Sequence, residues 1–205
     1  MPLKRRPPTP TAADPVMQAA FDLFSREGYQ QTTLDDIAAA GAVPLAAITA
    51  QYGDKAGLLA AVLRTFSPQE ALSAALTAVE GDTAEDLIRD SAHRMVAVVE
   101  QHKAYFELAT LDMQLHNGTA MSALIPAILP GTLALMNKLN ATGQLRPVAT
   151  PVLARTFVAL LIGFVVSERA VPGVAQLAMR LFTTKTWLDS MVDLLLYGVL
   201  EDDQR

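Results

Sequence analysis

Few residues in this chain have the type and spacing for bond-making chemistry. Asp90 and His93 stand three apart and Asp112 and His116 four apart, so each pair can share a helix face in the way metal ligands do. Two such pairs on neighbouring helices would resemble a bundle metal site, although the paired Glu-x-x-His pattern is absent. Solvated i to i+4 pairs explain the spacing more simply, and no metal or other cofactor is expected. The 205 residues include no cysteine, which excludes a disulfide framework, a thiolate zinc site and a cysteine nucleophile, and fits a reducing compartment, the cytoplasm by default. No Gly-rich phosphate loop, Gly-x-Ser-x-Gly elbow or supported carboxylate pair occurs. An enzyme is therefore not expected, and a metal-dependent bundle enzyme would rest on the two Asp/His pairs alone.

The elements that would position any site are helical. Asp14 can cap a first helix with Pro15 at its first position, where the missing N–H costs nothing. Val16, Ala19, Ala20, Leu23 and Phe24 follow at helical spacing and Gly28 ends the run. Thr33 with Asp36 resembles a short capping box opening a second helix, with Leu34, Ile37 and Ala38 inward and Gly41 at its end. A third short helix runs from Pro44 to about Tyr52, and Gly53 and Asp54 stop it and cap a fourth that turns Leu58, Leu59, Val62, Leu63 and Phe66 inward. Two short helices joined by a tight turn and braced on both sides make a helix-turn-helix unit. Ser67-Pro68 marks a boundary. Further helices are expected at about 69–79, 84–101, 103–115, 121–141, 150–170 and 174–200, with breaks at Pro126 and Pro130. The fold class is all-α: residues 1–13 a basic, proline-rich tail, 14–66 the helix-turn-helix domain, and 67–205 a larger helical bundle.

Bulk properties agree. Hydrophobic residues make up 51% of the chain, enough to bury a sizeable core. The longest apolar run, Phe157 to Val166, is about half of the roughly 20 residues that span a bilayer, so it reads as a buried helix and no membrane is expected. Residues 1–66 balance Lys4, Arg5, Arg6, Arg26, Lys55 and Arg64 against Asp14, Asp22, Glu27, Asp35, Asp36 and Asp54, leaving the net charge of −5 to the remainder. Such a head has little of the basic footprint that drives non-specific nucleic-acid binding.

The stretch AAFDLFSREGYQQTTLDDIAAAGAVPLAAITAQYGDKAGLLAAVL resembles, without a gap, the N-terminal pattern of tetracycline-repressor-like (TetR) regulators. That pattern has an AxxLF helix, Gly-Tyr, two threonines, Asp-Ile-Ala, a Gly-Val turn, a recognition helix ending in an aromatic, then Lys and a Leu pair. WLDSMVDLLLYGVL at 187–200 also resembles the family's last helix. The resemblance implies a homodimeric regulator, usually a repressor, binding palindromic double-stranded DNA and released by a small-molecule effector. It places Thr33, Leu45, Ala46, Thr49, Gln51, Tyr52 and Lys55 at the DNA edge, with Thr33 and Lys55 on phosphates and Tyr52 expected as core more than contact.

Two departures stand out. The family's usual Ala-Gly-Val-Ser turn is here Gly41-Ala42-Val43-Pro44, so the glycine moves by one and the capping hydroxyl is lost. The recognition helix, Leu45 to Tyr52, carries no charge; it can still read thymine methyls, and Gln51 can pair with adenine. Electrostatic affinity is then expected from Lys55 and from Lys4, Arg5 and Arg6. An apolar or aromatic effector is expected near Met95, Val99, Phe106, Met113 and Trp187, where an Ile88, Ser91, Met95, Val99 stripe lines a cavity or fills the core. Dimerisation is expected through helices 150–170 and 174–200, over Phe157 to Val166 and the Met191, Leu194, Leu195 and Val199 face. The alternative is a helix-turn-helix scaffold that has lost operator binding and serves as a ligand-binding or protein-interaction module.

Overall fold

The computed structural model describes residues 14–115, 118–145, 149–170 and 183–199. Its regular elements are α-helices: α1 (Pro15–Arg26), α2 (Leu34–Ala40), α3 (Leu45–Tyr52), α4 (Lys55–Thr65), α5 (Gln69–Thr77), α6 (Ala84–Gln101), α7 (Lys103–Leu115), α8 (Thr119–Ala141), α9 (Thr150–Ala170) and α10 (Thr184–Val199). The all-α class follows directly from the 3.6-residue periodicity of the sequence.

Two compact units emerge, and they do not follow chain order: residues up to Pro68 join His102–Ile125, while Gln69–Gln101 joins the chain from Pro126 onward. A division by chain order, at 66/67, differs in the fate of residues 102–125, because α7 packs on α1 and α4. Its Tyr105, Phe106, Leu108 and Ala109 are buried. In the first unit Met17, Ala20, Phe24, Ile37, Ile48, Leu58, Leu59 and Val62 are almost fully enclosed, each of them larger than alanine contributing roughly 1.5–3 kcal/mol. Phe21 stacks on Phe66 with ring centroids 4.4 Å apart, closing the end of α4 onto α1.

In the second unit α6 is the central helix, touched by α5, α9 and α10. Its Leu87, Ile88, Ala92 and Val96 share a core with Leu135, Met136 and Leu139 of α8, Leu153 and Phe157 of α9, and Leu188 and Val192 of α10. The start of α6 is held twice. Thr83 and Asp86 form hydrogen bonds across the first turn, and Gln144 Oε1 accepts from the Ala84 N–H at 2.7 Å, satisfying donors that no helical carbonyl can reach. Between α6 and α10, Arg89 bonds Glu85 and Asp193 and lies near Asp189, and His93 Nε2 is 2.7 Å from Asp189 Oδ1.

Breaks expected at Pro126 and Pro130 are not formed: α8 runs through both. Each proline denies a hydrogen bond to the residue four back, Ser122 or Pro126. All three positions are exposed, so water can serve the freed carbonyls while cooperative turns on either side carry the helix. Ser122–Ala141, at mean hydropathy 1.3, is long and apolar enough to cross a membrane by length and composition alone; here one face of it enters the second core. The expected helix from 174 is described only from Thr184, and the part from 174 to 182 lies outside the described residues.

Candidate nucleic-acid interface

The first unit builds one exposed polar helix edge from residues 28–57. Asp14 caps α1 by accepting from the Val16 N–H at 2.9 Å, with Pro15 next, as the sequence predicts. At the start of α2 the capping box is complete. Thr33 Oγ1 accepts from the Asp36 N–H at 3.1 Å and donates to Asp36 Oδ2 at 2.6 Å, and the Thr33 N–H reaches the same oxygen at 2.8 Å. These bonds hold the Asp36 carboxyl below its ordinary value, the Thr33 side chain contributing most.

The turn into α3 shows what the displaced glycine does. Gly41 has ordinary helical angles (φ −82), but it is buried, and a Cβ there would stand 3.2 Å from Ile37 O and 3.4 Å from Val16 Cα. Its smallness lets α2 end against α1. The left-handed residue is Ala42, with φ +52. As expected from Pro44, α3 receives no side-chain cap; its first turn opens on the Ala47 N–H donating to Pro44 O at 2.9 Å.

Ile48 anchors α3 at 1% exposure, with Leu45 and Tyr52 half-buried on the same side three and four residues away. Ala46, Ala47, Thr49, Ala50 and Gln51 are exposed. The outward face is therefore three methyls, a hydroxyl and an amide. The Thr49 hydroxyl folds back to Leu45 O and Ala46 O, both at 3.2 Å, while Gln51 is exposed near the C-terminal end. Burial pushes the Tyr52 phenol upward, with Asp14 adding to the shift, and its hydroxyl is buried without a hydrogen-bond partner in the described structure.

Lys55 does not reach outward. Its Nζ donates to Tyr29 O at 2.9 Å and Thr32 O at 3.0 Å, with Gln30 O at 3.5 Å, and sits 4.5 Å from the Tyr29 ring centroid. Thus Thr33, Ala46, Thr49 and Gln51 share exposure on the head, whereas Leu45, Tyr52 and Lys55 are turned partly inward. The sequence reading missed three contributors. Thr32, fully buried, bonds Gly28 O through both its N–H and its hydroxyl. Tyr29 supplies a carbonyl and a ring. Gly57, inside α4, leaves no room for a Cβ, which would collide with Tyr52 O; a lone glycine inside a helical pattern is the signal that could have found it.

The residues expected around an effector are divided. Met95 and Trp187 pack half-buried against the second core, and Val99 is half-buried on α6. Phe106 and Met113 belong to the first unit, at 8% and 51% exposure. Of the Asp/His pairs, Asp90 accepts from Arg94 and the Glu80 N–H, and His93 faces Asp189; His116 lies outside the described residues. Among the described residues no three His, Asp or Glu side chains converge as a metal site.

Residues 16–62 match the family model for bacterial regulatory proteins, tetR family. No curated protein matches the chain by sequence. Several solved structures share the fold over most of their length. One, described as a TetR-family transcriptional regulator from Mesorhizobium loti, is 20% identical with TM-score 0.67, covering 91% of this chain and 96% of that one. NalD, the secondary repressor of the MexAB-OprM multidrug efflux pump in Pseudomonas aeruginosa, is 20% identical with TM-score 0.61, covering 92% and 95%. SmeT in complex with triclosan is 23% identical with TM-score 0.60, covering 92% and 91%.

Proposed function

We propose, from the premise that residues 16–62 are a tetR-family regulatory segment and that the chain has the fold of TetR-family transcriptional regulators, that this protein is a ligand-responsive repressor. It binds a palindromic operator in duplex DNA as a cytoplasmic homodimer. The observation that carries this reading is the exposed face of α3, held by Ile48 and braced by α2 and α4. A neutral face of this kind suits the major groove, where alanine methyls meet thymine methyls and Gln51 can bond adenine N6 and N7. Thr33, Leu45, Ala46, Thr49, Gln51, Tyr52 and Lys55 are the residues assigned to this edge. The partial burial of Leu45 and Tyr52 makes them supports of the reading face more than readers.

Effector binding is assigned to the second unit. SmeT's complex with triclosan supports an apolar aromatic ligand, and Met95 and Trp187 offer adaptable apolar surface beside the core, with Val99 half-buried on the same helix as Met95; Phe106 and Met113 belong to the first unit. An effector favouring one arrangement of two reading heads shifts the population away from DNA. The dimer is assigned to α9 and α10, where Val152, Val158 and Leu194 are exposed at 56%, 43% and 75%.

Selection of bound fragments from a random duplex pool tests the function. The expected product is a palindrome with half-sites about 34–36 Å apart, or a multiple of one turn. Recovery of no duplex at low salt would sink the reading. The second reading, a scaffold that no longer binds operators, would then stand; it is favoured by the absence of charge on α3 and the inward Lys55 ammonium.

A further inference from the structure

The Lys55 ammonium has all its donors committed. A lysine ammonium carries three N–H groups and no acceptor, and here they meet Tyr29 O at 2.9 Å, Thr32 O at 3.0 Å and Gln30 O at 3.5 Å. The face of the Tyr29 ring, 4.5 Å away, adds attraction for the cation. These oxygens lie 23 to 26 residues from Lys55 in sequence, in the turn between α1 and α2. The same turn is tied within itself by fully buried Thr32, which bonds Gly28 O twice, at 2.9 and 3.2 Å. It runs directly into Thr33, the cap of α2.

We propose that Lys55 is a positioning residue: its ammonium fastens the 29–32 turn to the start of α4, fixes Thr33 and α2 for the reading head, and is not given to a DNA phosphate. Charge-assisted hydrogen bonds are about twice as strong as neutral ones, so leaving two of them, a long third and the ring for one solvated phosphate offers little gain. The tie joins the turn before α2 to the turn after α3, so it encloses both helices of the reading motif. This deepens the DNA-binding reading and rests on it only for the second half of the test.

The first half uses the full chain without DNA. The Lys55 ammonium should give a slowly exchanging proton–nitrogen NMR signal at neutral pH, which freely solvated lysines do not. Lys55→Met, which keeps the stem and removes the donors, should lower Tm by several degrees and speed amide exchange over residues 29–34, and Lys55→Arg should restore most of both. No ammonium signal, with Tm and exchange unchanged in Lys55→Met, overturns the proposal. The second half titrates salt against a selected operator. Lys55→Met should weaken binding without altering the slope of log K against log salt. A slope shallower by about 0.9, the value of one lost phosphate contact, overturns the proposal. If Lys55→Met does not fold, the wild-type signal and its persistence on the DNA decide. If the wild type binds no duplex, the regulator reading fails while the clamp is judged on the first half alone.

Discussion

Ala42 occupies the left-handed position of the turn between α2 and α3, at φ +52, where an L-residue with a Cβ pays about 1–2 kcal/mol. Gly41, one residue earlier, is kept small by Ile37 O and Val16 Cα. Ala42→Gly should therefore stabilise the protein by about 0.5–1 kcal/mol after allowing for the greater freedom of glycine in the unfolded chain, read as a higher urea midpoint at unchanged slope. A lower midpoint would show that the turn is not strained. The Thr33–Asp36 box gives a pH effect. The Asp36 carboxyl is held below its ordinary value by Thr33, so its contribution is complete above the unfolded-state value, about 3.9, and disappears as pH falls through the lower folded-state value. The stability gap between wild type and Asp36→Asn should be constant from pH 7 to 5 and shrink below about pH 4; a gap that widens on acidification contradicts the assignment.

Among the elements, α4 depends on the close approach of Gly57 to the carbonyl of Tyr52. Gly57→Ala would ordinarily gain up to about 1 kcal/mol of helix propensity, but the collision with backbone should outweigh it, for a net loss of about 2 kcal/mol. Denaturant unfolding checks the sign, and a gain would mean that α4 can shift freely. Helix ends marked by their own neighbours were legible in the sequence: Asp14-Pro15, Thr33 with Asp36, and Asp54 each act within three residues, and each is formed. What escaped was long-range or context-dependent. Lys55 reads as an exposed cation until the chain brings the Tyr29–Thr32 carbonyls to it, and Pro126 and Pro130 read as breaks until exposure lets water satisfy the freed oxygens. The exposed part of α3 was legible as an uncharged edge, and Tyr52 reads as core more than contact; that Leu45 also shares the side of Ile48 follows from its spacing of three, which the family pattern obscured.

For the whole molecule, the exposed Leu194 on α10 offers the sharpest test of assembly. Leu194→Asp places a charge at a side chain 75% exposed, so the subunit should keep its helical content. If α10 forms the dimer contact, association should weaken by about 2 kcal/mol or more, roughly thirtyfold, visible as a dimer-to-monomer shift in light scattering; an unchanged dimer moves the contact elsewhere. The interleaving of the chain has another consequence, in the order of synthesis. The first unit needs α7 on α1 and α4, yet α5 and α6 of the other unit are translated in between. At about 5–20 residues per second, the reading motif is born several seconds before the helix that covers its back. During that interval the apolar flanks of α1 and α4 stand open to chaperones, and a nascent chain stalled before Lys103 would carry a complete recognition helix on an unfinished support.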